Sequence, residues 1–137
     1  MSAADPLVEA ARAARARAVA PFSHFAVGAA LESDDGRVFA GCNIENASYG
    51  LTVCAERVAI FKAVSEGVRA FRRLVVVADA PTPTPPCGAC RQIIWEFCGD
   101  IEIILAGPAA VHASYRMKTL LPHPFDRGSL GGSGLET

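Results

Sequence analysis

Residues 74–78 read Leu-Val-Val-Val-Ala, apolar at every position and rich in β-branched side chains. A strand solvated on one face alternates apolar and polar residues. A strand that does not alternate must be covered on both faces. That run therefore demands a sheet with helices packed over it, and residues 101–105 (Ile-Glu-Ile-Ile-Leu) read as a further strand of it.

The rest of the chain supplies such helices. Asp5-Pro6 precedes Leu7, Val8, Ala11, Ala14 and Ala18. Asp suits a helix cap, Pro the first helical position, and Ala costs least in the interior. Pro21 ends that region. Residues 27–32 and 37–43 read as strands joined through Ser33-Asp34-Asp35-Gly36, a hairpin signal. A helix is expected over about residues 53–66, with Gly67 as its C-terminal stop. The four prolines between 81 and 86 exclude both helix and inner strand. Another helix is expected from near Cys87 to about Phe97, and residues 115–121 read as a short helix. The order α-β-β-α-β-α-β predicts an α/β fold with a mixed sheet in two or three layers. The 137-residue length suits one domain, assigned to residues 1–130. The glycine-rich stretch 131–137 is expected to be a flexible tail.

Composition excludes several classes of function. Half the chain is hydrophobic (51%) and only 20% is charged, too apolar for a disordered protein. Thirteen Lys+Arg against fourteen Asp+Glu give a net charge of −1, without the basic surface that nucleic-acid binding needs. The clusters Arg12/Arg15/Arg17 and Arg69/Arg72/Arg73 read as solvated faces. No apolar run reaches the ~18 residues of a membrane span. Asp5, Glu9 and the arginines break any secretory pattern at the N-terminus. The expectation is a cytoplasmic protein with neither membrane nor nucleic-acid partner. Five cysteines, an odd number, then read as metal ligands or reactive thiols rather than a disulfide framework.

Cys54 and the pair Cys87/Cys90 fall where two helices are expected to start. Helix N-termini favour thiolate over thiol, and thiolate is the form that binds zinc. Three ligands leave the fourth tetrahedral position of zinc open, as in a catalytic site. Glu56 stands beside them as a base that is not a ligand. On an ideal helix Cys54 and Glu56 point ~200° apart, so they share a pocket only if it wraps the first turn. Zn²⁺ with three thiolates carries a net −1, which Arg57, the helix ends and Gln92 are placed to offset. Two other readings use the same thiols. One is a closed four-ligand site completed by Cys42, Cys98 or His24. The other is a Cys87–Cys90 redox pair. The first leaves Glu56 unexplained, and the second leaves Cys54 without a role. Cys42 and Cys98 read as small buried hydrophobes.

This constellation is the general pattern of zinc deaminases. The chain resembles the small, homotetrameric cytidine deaminases over about residues 20–125. The resemblance is carried by Pro21-Phe22-Ser23-His24-Phe25-Ala26-Val27-Gly28-Ala29-Ala30-Leu31 and by Gly41-Cys42-Asn43-Ile44-Glu45-Asn46-Ala47-Ser48-Tyr49-Gly50. Cys54-Ala55-Glu56-Arg57, Pro86-Cys87-Gly88-Ala89-Cys90-Arg91-Gln92 and Leu120-Leu121-Pro122 complete it. It implies a three-layer α-β-α sandwich, one Zn²⁺ per chain on Cys54, Cys87 and Cys90, and Glu56 as proton shuttle. It implies Asn43 and Glu45 on the ribose, chiefly its 3′-hydroxyl, Phe25 against the pyrimidine, and the Ala55 backbone on the base. Tyr49 and Phe125 are expected to enter a neighbouring subunit's site in a homotetramer. The implied reaction is zinc-dependent hydrolysis of cytidine and deoxycytidine to uridine and deoxyuridine with release of ammonia, a step of pyrimidine salvage. A deaminase for another aminated heterocycle, such as a nucleoside antibiotic, is the alternative. One departure is Phe22, where the family usually has Tyr.

Overall fold

A computed structural model describes residues 5–131. A five-stranded mixed sheet has the order β2-β1-β3-β4-β5. β1 (Val27–Ser33) runs antiparallel to β2 (Val38–Cys42) on one side and to β3 (Phe71–Ala78) on the other. β4 (Glu102–Ala106) is parallel to β3, and β5 (Val111–Arg116) is antiparallel to β4.

The run that opened the sequence lies on β3, in the middle of this sheet. Its side chains alternate between two cores. Val75 and Val77 meet Leu7, Val8 and Ala11 of α1 (Pro6–Arg15) on one face. Leu74 and Val76 face Ala59 and Ile60 of α2 (Ala55–Ser65) and Ile94 of α3 (Gly88–Cys98) on the other. The result is a three-layer sandwich, with α1 the one helix on its side among the described residues. The first helix is capped as its sequence demands: the Asp5 carboxylate accepts from the Leu7 N–H at 2.8 Å, and Pro6 follows it.

α1 ends at Arg15, so Ala18 lies beyond it. The region read as a short helix over 115–121 divides instead. Residues up to Arg116 belong to β5, and only Met117–Leu120 form a helix, α4. β5 is an edge strand, mostly exposed, and carries His, Ala, Ser and Arg where a buried strand would carry apolar groups. Its sequence therefore lacks the pattern that reveals inner strands. The stretch expected to be a flexible tail lies, apart from Gly131, outside the described residues. Among the described residues no helix is long and apolar enough to cross a membrane.

Two glycines set how closely helices approach the sheet. A Cβ on Gly28 would fall 2.0 Å from the Ala11 carbonyl oxygen of α1. A Cβ on Gly41 of β2 would fall 2.7 Å from the Ala59 nitrogen and 2.9 Å from the Ala55 oxygen of α2. Hydrogen at these positions lets backbone lie on backbone, and the first turn of α2 is thereby seated on β2.

Candidate metal centre and substrate cleft

α2 and α3 begin side by side, and each is preceded by a cysteine in extended conformation, Cys54 (ψ 153°) and Cys87 (ψ 168°). Cys90 follows in the first turn of α3, its N–H donating to the Cys87 sulfur at 3.4 Å. The three sulfurs lie within 4.8 Å of one another. Tetrahedral zinc with ~2.3 Å Zn–S bonds separates its sulfurs by about 3.8 Å. The donor set therefore fits one zinc ion, with one coordination position left over. All five cysteines are free thiols.

Because Cys54 precedes the helix instead of lying within it, the ~200° separation of an ideal helix does not apply. Cys54 and Glu56 line the same cavity, of about 280 Å³, with Cys87, Phe25, Val27, Asn43 and Glu45. Ala55 forms part of that wall, and Thr84 and Pro85 of the proline-rich segment form another part. An adjoining cleft of about 350 Å³ shares Ser23, Glu45 and Thr52 with the cavity and extends it to Phe22 and Tyr49.

The charges are arranged around the sulfurs. Cys54 is pulled well below the ordinary thiol range, first by a hydrogen bond from Cys90 and then by the guanidinium of Arg57, whose Nη2 lies 3.3 Å from its sulfur. Cys90 is pushed up by the same pairing and by burial. Arg57 also buries an Nε that has no hydrogen-bond partner. Glu56 is 5% exposed, and burial raises it to about 7, with the neighbouring Cys54 charge adding to the effect. Gln92 is engaged elsewhere than expected: its amide nitrogen donates to the Phe125 carbonyl, which ties α3 to the C-terminal segment. Trp95 does the same through Asp126 at 3.0 Å, and Glu96 through Arg127 at 2.8 Å.

The family model described as "Cytidine and deoxycytidylate deaminase zinc-binding region" matches residues 1–106. The chain belongs to this deaminase family. It is 47% identical over 127 residues to a cytidine deaminase of Sporosarcina psychrophila, covering 92% of this chain and 93% of that one. It is 50% identical over 120 residues to a cytidine deaminase of Halalkalibacterium halodurans, covering 87% and 91%. The crystal structure of cytidine deaminase from Burkholderia pseudomallei superposes with a TM-score of 0.82 at 48% identity, covering 87% of this chain and 96% of that one.

Within the deaminase fold, the residues expected at the site separate into two groups. Cys54, Cys87, Glu56, Ala55, Asn43, Glu45 and Phe25 line one cavity, and buried Cys90 holds its sulfur within 4.8 Å of the other two. Tyr49 lies in the adjoining cleft at 73% exposure, and Phe125 projects at 62% exposure from the segment fastened to α3. Sequence reasoning missed Thr52, Thr84 and Pro85 as lining residues. Nothing in their spacing marks them, because the loops that carry them meet only in the folded chain. It also gave Arg91 no part. Arg91 donates to the Pro86 carbonyl at 2.8 Å and the Leu120 carbonyl at 2.9 Å, bracing the segment that leads into Cys87.

Proposed function

We propose that this chain hydrolyses cytidine and deoxycytidine to uridine and deoxyuridine, releasing ammonia, with one Zn²⁺ held by Cys54, Cys87 and Cys90. The observation that carries this reading is the three-thiol group opening into a cavity beside a buried, uncoordinated carboxylic acid, Glu56. When bound, zinc supplies Lewis acidity that lowers the pKa of water in its open position.

The chain's own residues do the rest. Glu56 takes a proton from the attacking water and delivers it to N3 of the pyrimidine as C4 becomes tetrahedral. It then assists protonation of the departing amine, so one carboxylate serves as base and acid. Water and the aminopyrimidine are consumed, and the keto product and ammonia are formed. Burial suits Glu56 to this task, because a carboxyl raised toward neutrality both accepts and returns a proton. Arg57 offsets the negative charge of three thiolates through its contact with Cys54.

Asn43 and Glu45 form a donor–acceptor pair suited to a sugar hydroxyl, for which we assign the 3′ position. Asn43 uses one amide hydrogen on the Phe25 carbonyl at 2.8 Å and its oxygen on the Val27 N–H at 2.9 Å. The second amide hydrogen is left to donate, while Glu45 accepts. Phe25 packs on the pyrimidine, and the Ala55 backbone contacts the base. The exposed side chains of Tyr49 and Phe125 support a homotetramer in which each enters a neighbour's site. The near-neutral charge supports a small uncharged substrate, and free thiols support a reducing, cytoplasmic setting with a place in pyrimidine salvage.

Zinc content per chain and the loss of cytidine absorbance, measured on one preparation, test the reading. We expect about one zinc per chain and turnover of both cytidine and deoxycytidine. The Glu56→Gln variant should keep zinc and nucleoside binding while losing turnover by a factor of 10² or more. Zinc without turnover of any nucleoside would overturn the proposal, as would near-normal turnover by the glutamine variant.

A further inference from the structure

The loop before β1 is wrapped around one carboxylate. Glu45 Oε1 accepts from the N–H groups of Phe22 at 3.0 Å and Ser23 at 3.1 Å. Glu45 Oε2 accepts from the Ser23 hydroxyl. Two successive backbone N–H groups aimed at one anion form a nest. The turn that aims them closes with the His24 N–H on the Ala20 carbonyl at 3.0 Å, and His24 itself lies in the left-handed region at φ 57°. The Ser23 hydroxyl in turn accepts from the Phe25 N–H at 3.0 Å.

The donors can be counted against the acceptor sites of Glu45. A carboxylate offers about four lone-pair sites, two on each oxygen. Phe22 and Ser23 take both on Oε1, and the Ser23 hydroxyl takes one on Oε2. One site remains, on the oxygen that Ser23 orients, and Glu45 and Ser23 both line the cavity shared with Glu56. A carboxylate fixed in this way accepts from a single substrate hydroxyl.

We propose that Ser23 is a positioning residue for substrate recognition, acting through Glu45 so that this carboxylate reads one sugar hydroxyl and is indifferent to the other. The inference rests on the sugar-binding reading of Glu45 given above. A site with a carboxylate held in this way would accept both ribo- and deoxyribonucleosides, because no lone pair is left for the 2′-hydroxyl.

The test compares kcat/KM for cytidine, 2′-deoxycytidine and 3′-deoxycytidine in the native enzyme and in Ser23→Ala, Ser23→Gly and Ser23→Thr. The native enzyme should prefer cytidine over 3′-deoxycytidine and treat 2′-deoxycytidine nearly as cytidine. In Ser23→Ala and Ser23→Gly the cytidine/3′-deoxycytidine ratio should fall about 10-fold, the order expected when a hydrogen bond to a charged group is weakened. Ser23→Thr, which keeps the hydroxyl, should restore it. Loss of the hydroxyl could also loosen Phe25, but that would slow all three substrates alike. An equal loss on every substrate, or no loss, would overturn the inference while leaving the deaminase reading intact. A native cytidine/3′-deoxycytidine ratio near one would remove the sugar-binding reading of Glu45 and this inference with it.

Discussion

Two glutamates eleven positions apart are driven in opposite directions by their surroundings. Glu45 is held below the usual carboxylate range by donors from Ser23 and Phe22, so it stays an acceptor. Glu56, 5% exposed, is raised to about 7 by burial, where a carboxyl can exchange protons near neutral pH. The same side chain is thus fitted for the recognition proposed at one position and the chemistry proposed at the other, and environment alone separates the two. Asp5 belongs with Glu45. The Arg73 guanidinium, 2.7 Å away, lowers its carboxyl, as does the Leu7 N–H that it caps. Its side chain is 13% exposed and that of Arg73 20%, so solvent screens the pair only partly. A depressed folded pKa gives stability that is present above the unfolded value near 4 and is lost as pH falls through the folded value. Asp5→Ala should therefore cost about 2 kcal/mol at pH 7, roughly half from the lost cap and the rest from the lost ion pair. Urea unfolding between pH 7 and pH 2 checks this: the gap between native and variant should narrow only at the acid end, where the ion pair is lost. A gap independent of pH would show that the charge of Asp5 contributes nothing.

At the scale of elements, Gly41 joins the Asn43 and Glu45 side of the cleft to the Glu56 side. β2 runs through Gly41 toward Asn43 and Glu45, and α2 carries Glu56 in its first turn, two residues after Cys54. Their spacing is set where the Ala55 oxygen, the Val58 Cβ and the Ala59 nitrogen press on Gly41. Gly41→Ala should lift α2 from β2 and move Cys54 away from Cys87 and Cys90, which ride on α3. The expected result is a loss of about 1–3 kcal/mol in stability and weaker zinc retention, with a fall in kcat. Thermal melting and zinc retention on dialysis measure it; an unchanged melting point with full zinc would show that α2 is not seated there. Elements such as these were legible from the sequence to the degree that burial shapes residue choice. β3 announced itself by its unbroken apolar run, and α1 by Asp5-Pro6. β5 did not, because an edge strand needs no buried pattern. The site divides in the same way. The cysteines and Glu56 are set by the chemistry of zinc and carry a spacing that can be read. The cradle of Phe22 and Ser23 consists of backbone N–H groups and a turn at His24, which leave no trace in residue identity beyond one serine.

The whole molecule places its metal group at the meeting of two helix ends that share a core independent of the metal. Ala59 and Ile60 of α2 pack with Ile94 of α3 and with Leu74, Val76 and Ile103 of the sheet, all buried. This cluster and the α1 cluster on the opposite face do not involve Cys54 or Cys87. A zinc ion bridging α2 and α3 thus adds its binding free energy to a fold that already has its core. At free zinc 1,000-fold above its dissociation constant, that addition is about 4 kcal/mol. A strong chelator should then abolish turnover and lower the melting temperature while the far-ultraviolet circular dichroism at 25 °C stays close to that of the zinc-loaded protein. Returning zinc should restore both activity and melting temperature. Collapse of the secondary structure on chelation would show the opposite balance, with the packing of α2 and α3 insufficient to hold the sandwich together and the three thiols serving as a structural clasp as well as a reaction centre.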